Sequence, residues 1–223
     1  MEIKRRSAQV RIKSSVLLCA LVALILTVPL GEFGGGLRIA ASVLYYAVFC
    51  IGGYLLSPTR RWLKSYLFLA VPGLLIGIIC SIWNDAPTLV AIGDFVSLGL
   101  QVLLIDAVVR FSLFSPAAEE ADRIIAGICG YLILGLLWAN VFSILEHFAP
   151  GSFLQSDGSP VTVEDGSIVY YSLVTLTTLG YGDITPSAPW PRMLAALEAV
   201  AGTLYLTVFI AGLVSNLRKV KMD

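Results

Sequence analysis

Six stretches of about 20 residues with few or no charges succeed one another along this chain, at about 15–30, 37–56, 65–82, 88–110, 124–148 and 192–215. Each is near the length that crosses a hydrocarbon core about 30 Å thick. With 57% hydrophobic and 13% charged residues and a mean hydropathy of +0.86, the 223-residue chain is too apolar for an ordinary soluble domain. The pattern predicts an all-α membrane protein with six transmembrane helices.

The basic residues set a direction. If Met1 is cytoplasmic, the inner segments hold 13 of the 15 Lys and Arg, leaving Arg38 and Arg192 at outer ends. That asymmetry predicts that both termini lie in the cytoplasm. Basic residues followed by VLLCALVALIL also fit a secretory signal peptide, but no A-x-A cleavage site follows in TVPLGEFGGG. Cys19, Cys50, Cys80 and Cys129 fall inside the apolar runs without C-x-x-C spacing, so neither a disulfide framework nor a metal site is expected.

Two hydrophilic segments stand out. In RFSLFSPAAEEADR, Ser115 and Pro116 form an N-cap and first-turn pair that predicts an amphipathic linker helix over 115–123, between a four-helix unit (1–114) and a second unit (124–223). The other, residues 149–166, is rich in Gly, Pro, Ser and Asp and lies outside by the charge rule. The apolar SIVYYSLVTLTT that follows is too short to cross a bilayer and reads as a re-entrant helix. TTLGYGDITP comes next, at membrane depth, where non-helical backbone survives only if it is buried in protein or lines a water-filled cavity.

A dehydrated cation needs oxygens in place of its water, and backbone carbonyls supply them without adding full charges. Carbonyls of consecutive residues point the same way only if alternate residues adopt angles that glycine reaches cheaply, and Gly180 and Gly182 alternate around Tyr181. Thr178 adds a hydroxyl at the inner end.

Thr177 to Asp183, TTLGYGD, resembles the selectivity-filter signature of potassium channels, and the resemblance runs from Tyr170 to about Val214. The six-span layout with one pore loop resembles the tetrameric six-helix subfamily, of bacterial type. The resemblance implies potassium ions held by the carbonyls of Thr178, Leu179, Gly180 and Tyr181 and by the Thr178 hydroxyl. It implies Gly182 at the mouth with Asp183 behind it, and the carbonyl end of the helix through Ser172 to Thr177 facing a cavity. Tyr170 and Tyr171 stand where family members commonly carry two tryptophans that brace the filter. Val174 stands where some bacterial members carry a glutamate. Gly202, 21 residues after Tyr181, has the spacing of a gating-hinge glycine, and close helix packing is the other reading. Glu146 resembles a glutamate tying the fifth helix to the pore region, or is an interfacial carboxylate in water. Its neighbour His147 reads as an exposed side chain or as a group titrating near neutral pH. The outer acidic residues Glu146, Asp157, Glu164, Asp165 and Asp183 either concentrate cations or are merely solvated.

The fourth span lacks the arginine repeat of a voltage sensor. It offers Asp94, Gln101, Asp106 and a single Arg110, with Asp106 and Arg110 one turn apart and able to pair, and Asp94 expected to make a structural hydrogen bond to Ser, Tyr or Trp, or else to tune a cavity among the four helices. The segment after Asn216, LRKVKMD, is too short for a cytosolic ligand-binding domain. Catalysis is not expected, since no paired carboxylates, metal-spaced His and Cys or nucleophile with a base occur together. The expectation is a homotetramer in a cell membrane, conducting potassium passively and without steep voltage gating, with lipids as neighbours. It includes no cofactor and no nucleic acid partner. A less selective monovalent cation channel, or a subunit of a potassium transport system, is the alternative.

Overall fold

The computed structural model describes residues 2–29, 35–57, 59–82, 87–115, 119–163 and 166–213. Helices α1 (Glu2–Thr27), α2 (Gly35–Leu56), α3 (Arg60–Ile82), α4 (Pro87–Phe114) and α5 (Glu120–Phe148) lead into strand β1 (Phe153–Gln155). Then come helix α6 (Ser167–Leu176), strand β2 (Ile184–Pro186) and helix α7 (Pro189–Leu204), which continues as a π-helical turn over Tyr205–Ile210. Most helices overrun the apolar runs that announce them, because a helix keeps its hydrogen bonds past the point where its side chains become polar. Five are long and apolar enough to cross a membrane: Ile39–Leu56, Arg60–Cys80, Leu89–Phe114, Glu120–Phe148 and Pro189–Leu213. The apolar part of α1, Ser14–Thr27, is shorter.

Between helices in lipid there is little hydrophobic force, so close packing and polar contacts decide how they associate. Tyrosines sunk into glycine notches supply both. The Tyr66 ring of α3 covers Gly53 of α2, where a Cβ would collide with it, and its hydroxyl donates to the Phe49 carbonyl at 3.0 Å. Gly73 and Gly77 of α3 seat the Tyr46 ring, whose hydroxyl meets Ser97 of α4 at 3.0 Å. The four cysteines are unpaired, as their spacing predicts.

The first four helices and α5 share one core. Leu17, Leu21, Phe49, Tyr66, Leu100 and Leu104 pack with Cys129, Ile133 and Leu136 of α5. Helices α4 and α5 run antiparallel, and Gln101 of α4 donates to the Leu136 carbonyl at 3.0 Å. Asn140 of α5 donates to Gln101 Oε1 (3.2 Å) and to the Asp94 carbonyl (3.0 Å). Of the residues expected in the linker helix over 115–123, residues 120–123 open α5 itself. Arg123 donates to the carbonyls of Ser112 and Leu113 at 2.6 and 2.7 Å, capping the end of α4 where unpaired carbonyls favour a cation. Pro116, Glu164, Asp165 and the tail after Leu213 lie outside the described residues.

The all-α expectation needs one amendment. β1 and β2 form an antiparallel pair with register Phe153↔Pro186, Leu154↔Thr185 and Gln155↔Ile184. Three residues in a Gly- and Ser-rich loop are too few to show a period of two in sequence. A second core of Phe142, Phe153, Val161, Ile168, Tyr171 and Ala195 sits beneath the pair.

Replacing Asn140 with leucine leaves buried Gln101 Oε1 without its donor, and is expected to lower stability by about 1–3 kcal/mol. Thermal unfolding in detergent is the check; an unchanged midpoint would mean that the α4–α5 contact does not depend on this amide.

Candidate functional site

Helix α6 is 10 residues long, about 15 Å, and starts at Gly166, whose φ of 79° suits glycine. A helix end leaves its last four carbonyls without helical partners. Each of the four is satisfied. The Leu173 carbonyl accepts from the Thr177 amide (3.2 Å) and hydroxyl (2.7 Å), and that of Thr175 from the Thr178 amide (2.9 Å). The Val174 carbonyl accepts from the amides of Leu179 (2.9 Å) and Gly180 (3.4 Å), and that of Leu176 from the Tyr131 hydroxyl of α5 (3.2 Å).

The loop's amides therefore point back at its own helix. Its φ angles are positive at alternate residues: 58° at Thr178, 56° at Gly180 and 78° at Gly182. Thr178 is the only non-glycine with positive φ among the described residues, a costly state for a β-branched side chain. Among the described residues no donor is recorded for the carbonyls of Thr178, Leu179, Gly180 or Tyr181. Sequence reasoning anticipated the glycines and named Thr178 for its hydroxyl, but missed its left-handed backbone, which nothing in the identity of a threonine announces.

Behind the loop, the Tyr170 hydroxyl donates to Asp183 Oδ2 at 2.7 Å, while Asp183 Oδ1 accepts from the Ile184 amide at 3.1 Å. That hydrogen bond pushes the phenol up to about 12, so Tyr170 stays a neutral donor near pH 7. Tyr171 does not share this bracing. It is buried, with ring centroids 5.0 Å from Phe153 and 5.4 Å from Phe142, and anchors α6 to the second core.

Glu146 is buried at the end of α5 rather than solvated. Its Oε1 accepts from the Gly151 amide at 2.5 Å and its Oε2 from the Phe153 amide at 3.1 Å, so it ties α5 to β1. β1 in turn holds β2, the first residues after Asp183. His147 departs from the exposed reading: its side chain is 24% exposed, with Nδ1 2.9 Å from the Ser143 carbonyl and 3.7 Å from Asp94 Oδ2. Asp94 Oδ2 thus lies near a histidine ring but beyond hydrogen-bond distance, and has no hydrogen-bond partner. Asp157 is engaged locally, since Ser159 donates to it through both Oγ and N–H, and these bonds hold its carboxyl below the usual range.

Helix α7 backs the loop. A Cβ on Gly202 would collide with the Leu176 carbonyl oxygen, so this glycine is required by close approach, and the π-helical turn begins three residues later. Glu198, one turn before Gly202, is fully buried against Ser172 of α6. Sequence reasoning passed over Glu198. The available signal was a lone carboxylate within an otherwise uncharged stretch of the last span.

Residues 130–219 match a protein family described as an ion channel. The chain is 34% identical over 105 residues to a voltage-gated potassium channel of Aeropyrum pernix, covering 46% of this chain and 32% of that protein. It is 36% identical over 66 residues to two pore potassium channel c of Oryza sativa subsp. japonica (30% and 14%). It is 33% identical over 86 residues to potassium voltage-gated channel subfamily A member 10 of Mus musculus (39% and 16%). No solved structure matches the chain significantly. Residues 130–219 thus match an ion channel family, and the relatives that share this stretch are potassium channels.

The matched segments span only 14–32% of these relatives' lengths. The matched segment opens inside α5 and includes the Glu146 tie, α6, the left-handed loop and α7. The ion channels that it resembles are not enzymes.

Glu146→Ala removes the acceptor of two amides in the matched segment, and each hydrogen bond to a charged group is worth about 1.5–3 kcal/mol. The variant is expected to unfold at lower temperature than Glu146→Gln, which keeps one acceptor oxygen. Equal midpoints for the two would remove the tie from the account.

Proposed function

We propose that this chain assembles as a homotetramer in a cell membrane and conducts potassium passively and selectively. The carrying observation is the alternation of positive φ at Thr178, Gly180 and Gly182, with the loop amides turned back to α6. Such a backbone leaves the carbonyls of Thr178, Leu179, Gly180 and Tyr181, with the Thr178 hydroxyl, free for a dehydrated cation. Gly182 then lies at the mouth, Thr177 caps the helix, and Asp183, Tyr170, Tyr171 and Glu146 hold the strand in place.

One chain supplies one strand of such a ring. The exposure of Leu179 (56%) and Tyr181 (67%), together with the apolar surface of α7, supports packing against further copies. In this reading residues 124–223 are the pore domain, 1–114 a peripheral bundle, and α1 completes six crossings with both termini cytoplasmic. Gly202 and the π-helical turn after it mark where α7 would bend in gating.

Voltage dependence is weak in this reading. A charge crossing the field contributes about 2.3 kcal/mol per 100 mV, so steep gating needs several. The one arginine of α4, Arg110, sits at its end with Nε 2.9 and 2.8 Å from the two carboxylate oxygens of Asp106. Arg110→Gln is expected to leave the conductance–voltage slope nearly unchanged, and a large flattening would make α4 a sensor.

Purified protein in liposomes, under opposing potassium and sodium gradients, tests the main reading. The expected reversal potential lies near the potassium value and the current is blocked by barium; a reversal near zero would indicate a cation pore without selectivity. Gly180→Ala should abolish the current while the protein still inserts, because a Cβ is strained at φ 56°. Potassium-selective current through that variant would overturn the assignment.

A further inference from the structure

Glu198 is 0% exposed, within the last membrane span. No basic side chain pairs with it among the described residues. The titratable groups near it are the phenols of Tyr131 on α5 and Tyr171 on α6. On α7, Arg192 is engaged with the Pro186 carbonyl and Tyr205 with that of Gly127. A bare carboxylate in such surroundings is costly.

The hydrogen count addresses that cost. Ser172 Oγ lies 2.5 Å from Glu198 Oε1 and 2.7 Å from the Gly135 carbonyl oxygen, both hydrogen-bond distances for oxygen pairs. A serine hydroxyl has one hydrogen, and a carbonyl has none. If that hydrogen goes to an ionised Glu198, Ser172 and Gly135 face each other as two acceptors. If it goes to Gly135, Ser172 and an ionised Glu198 do. Only a protonated Glu198 satisfies both contacts, donating to Ser172 Oγ while Ser172 donates to Gly135. Oε2, which has no hydrogen-bond partner, is then the carbonyl oxygen of a neutral acid.

We infer that Glu198 is a positioning residue for conduction, acting as a neutral acid that passes one directed hydrogen-bond chain from α7 through Ser172 of α6 to α5. The role rests on the conduction reading; the protonation state does not. Ser172 lies on the turn beside Val174, whose carbonyl holds the amides of Leu179 and Gly180. Fixing Ser172 therefore fixes the acceptor on which the left-handed loop hangs.

Two readouts separate the chain from simple packing. In liposomes near neutral pH, the infrared difference between wild type and Glu198→Gln should contain the C=O band of a protonated carboxyl group, shifted in Ser172→Ala, which removes its acceptor. A carboxylate signature alone overturns the inference. In flux assays Glu198→Gln, whose amide can make the same donation, should keep its potassium-over-sodium preference. Glu198→Leu, similar in size but without a donor, should lose about tenfold, the worth of one hydrogen bond. Equal behaviour of the two variants overturns the positioning role. A protonated band with no current in any variant counts against the conduction reading and leaves the hydrogen-bond chain standing. If Glu198→Leu fails to insert, Ser172→Ala against Ser172→Thr, which restores a hydroxyl, reads the same preference.

Discussion

Lipid offers no hydrogen bonds, so the irregular backbone between α6 and β2 can exist only where protein groups provide them. Among the carbonyls at the end of α6, three are met from the following residues Thr177, Thr178, Leu179 and Gly180, and the fourth, that of Leu176, from Tyr131 of α5. Using the loop's donors in this way leaves its carbonyls as the unspent polar groups. It also forces left-handed angles, including one on a threonine, at about 1–3 kcal/mol for such a residue. Strain of that kind persists only if the surroundings over-determine the backbone, and the contacts from α5, α6 and α7 do so.

The frame reaches the loop from three sides. From α5, Glu146 grips the amides of Gly151 and Phe153, and β1 then pairs with β2 immediately after Asp183. From α6, Tyr170 holds Asp183 while Tyr171 locks into Phe142 and Phe153. From α7, Gly202 lets the helix touch the Leu176 carbonyl, and Glu198 reaches Ser172. A smaller aromatic brace than a tryptophan pair is thus accompanied by a strand pairing and a buried carboxyl group.

Much of this was legible in the sequence, and for identifiable reasons. Apolar runs near 20 residues reveal spans because bilayer thickness imposes the length. Gly180 and Gly182 reveal the loop because the backbone angles they adopt exclude most other residues. What stayed hidden depends on tertiary contact. Glu146 could be an interfacial carboxylate or a tie, and only the approach of two amides decides between them. Gly202 could bend or pack, and the carbonyl that a Cβ there would meet lies 26 positions earlier in the chain. Glu120 to Arg123 belong to α5, which the start signal at Ser115 and Pro116 does not announce, and Arg123 reaches back to the end of α4.

The seam between α4 and α5 bears on the first four helices, because α4 lies antiparallel on α5 and shares its core. The polar groups at that seam are Gln101, Asn140, Asp94 and His147, all directed across it. Because His147 follows Glu146 in α5, the same helix end faces Asp94 of the bundle and grips the strand pair of the loop. Any displacement of α4 along α5 would have to strain these contacts before it reached α6. The first four helices are thus packed against α5 as one core, and the single arginine of α4 is tied to its own aspartate.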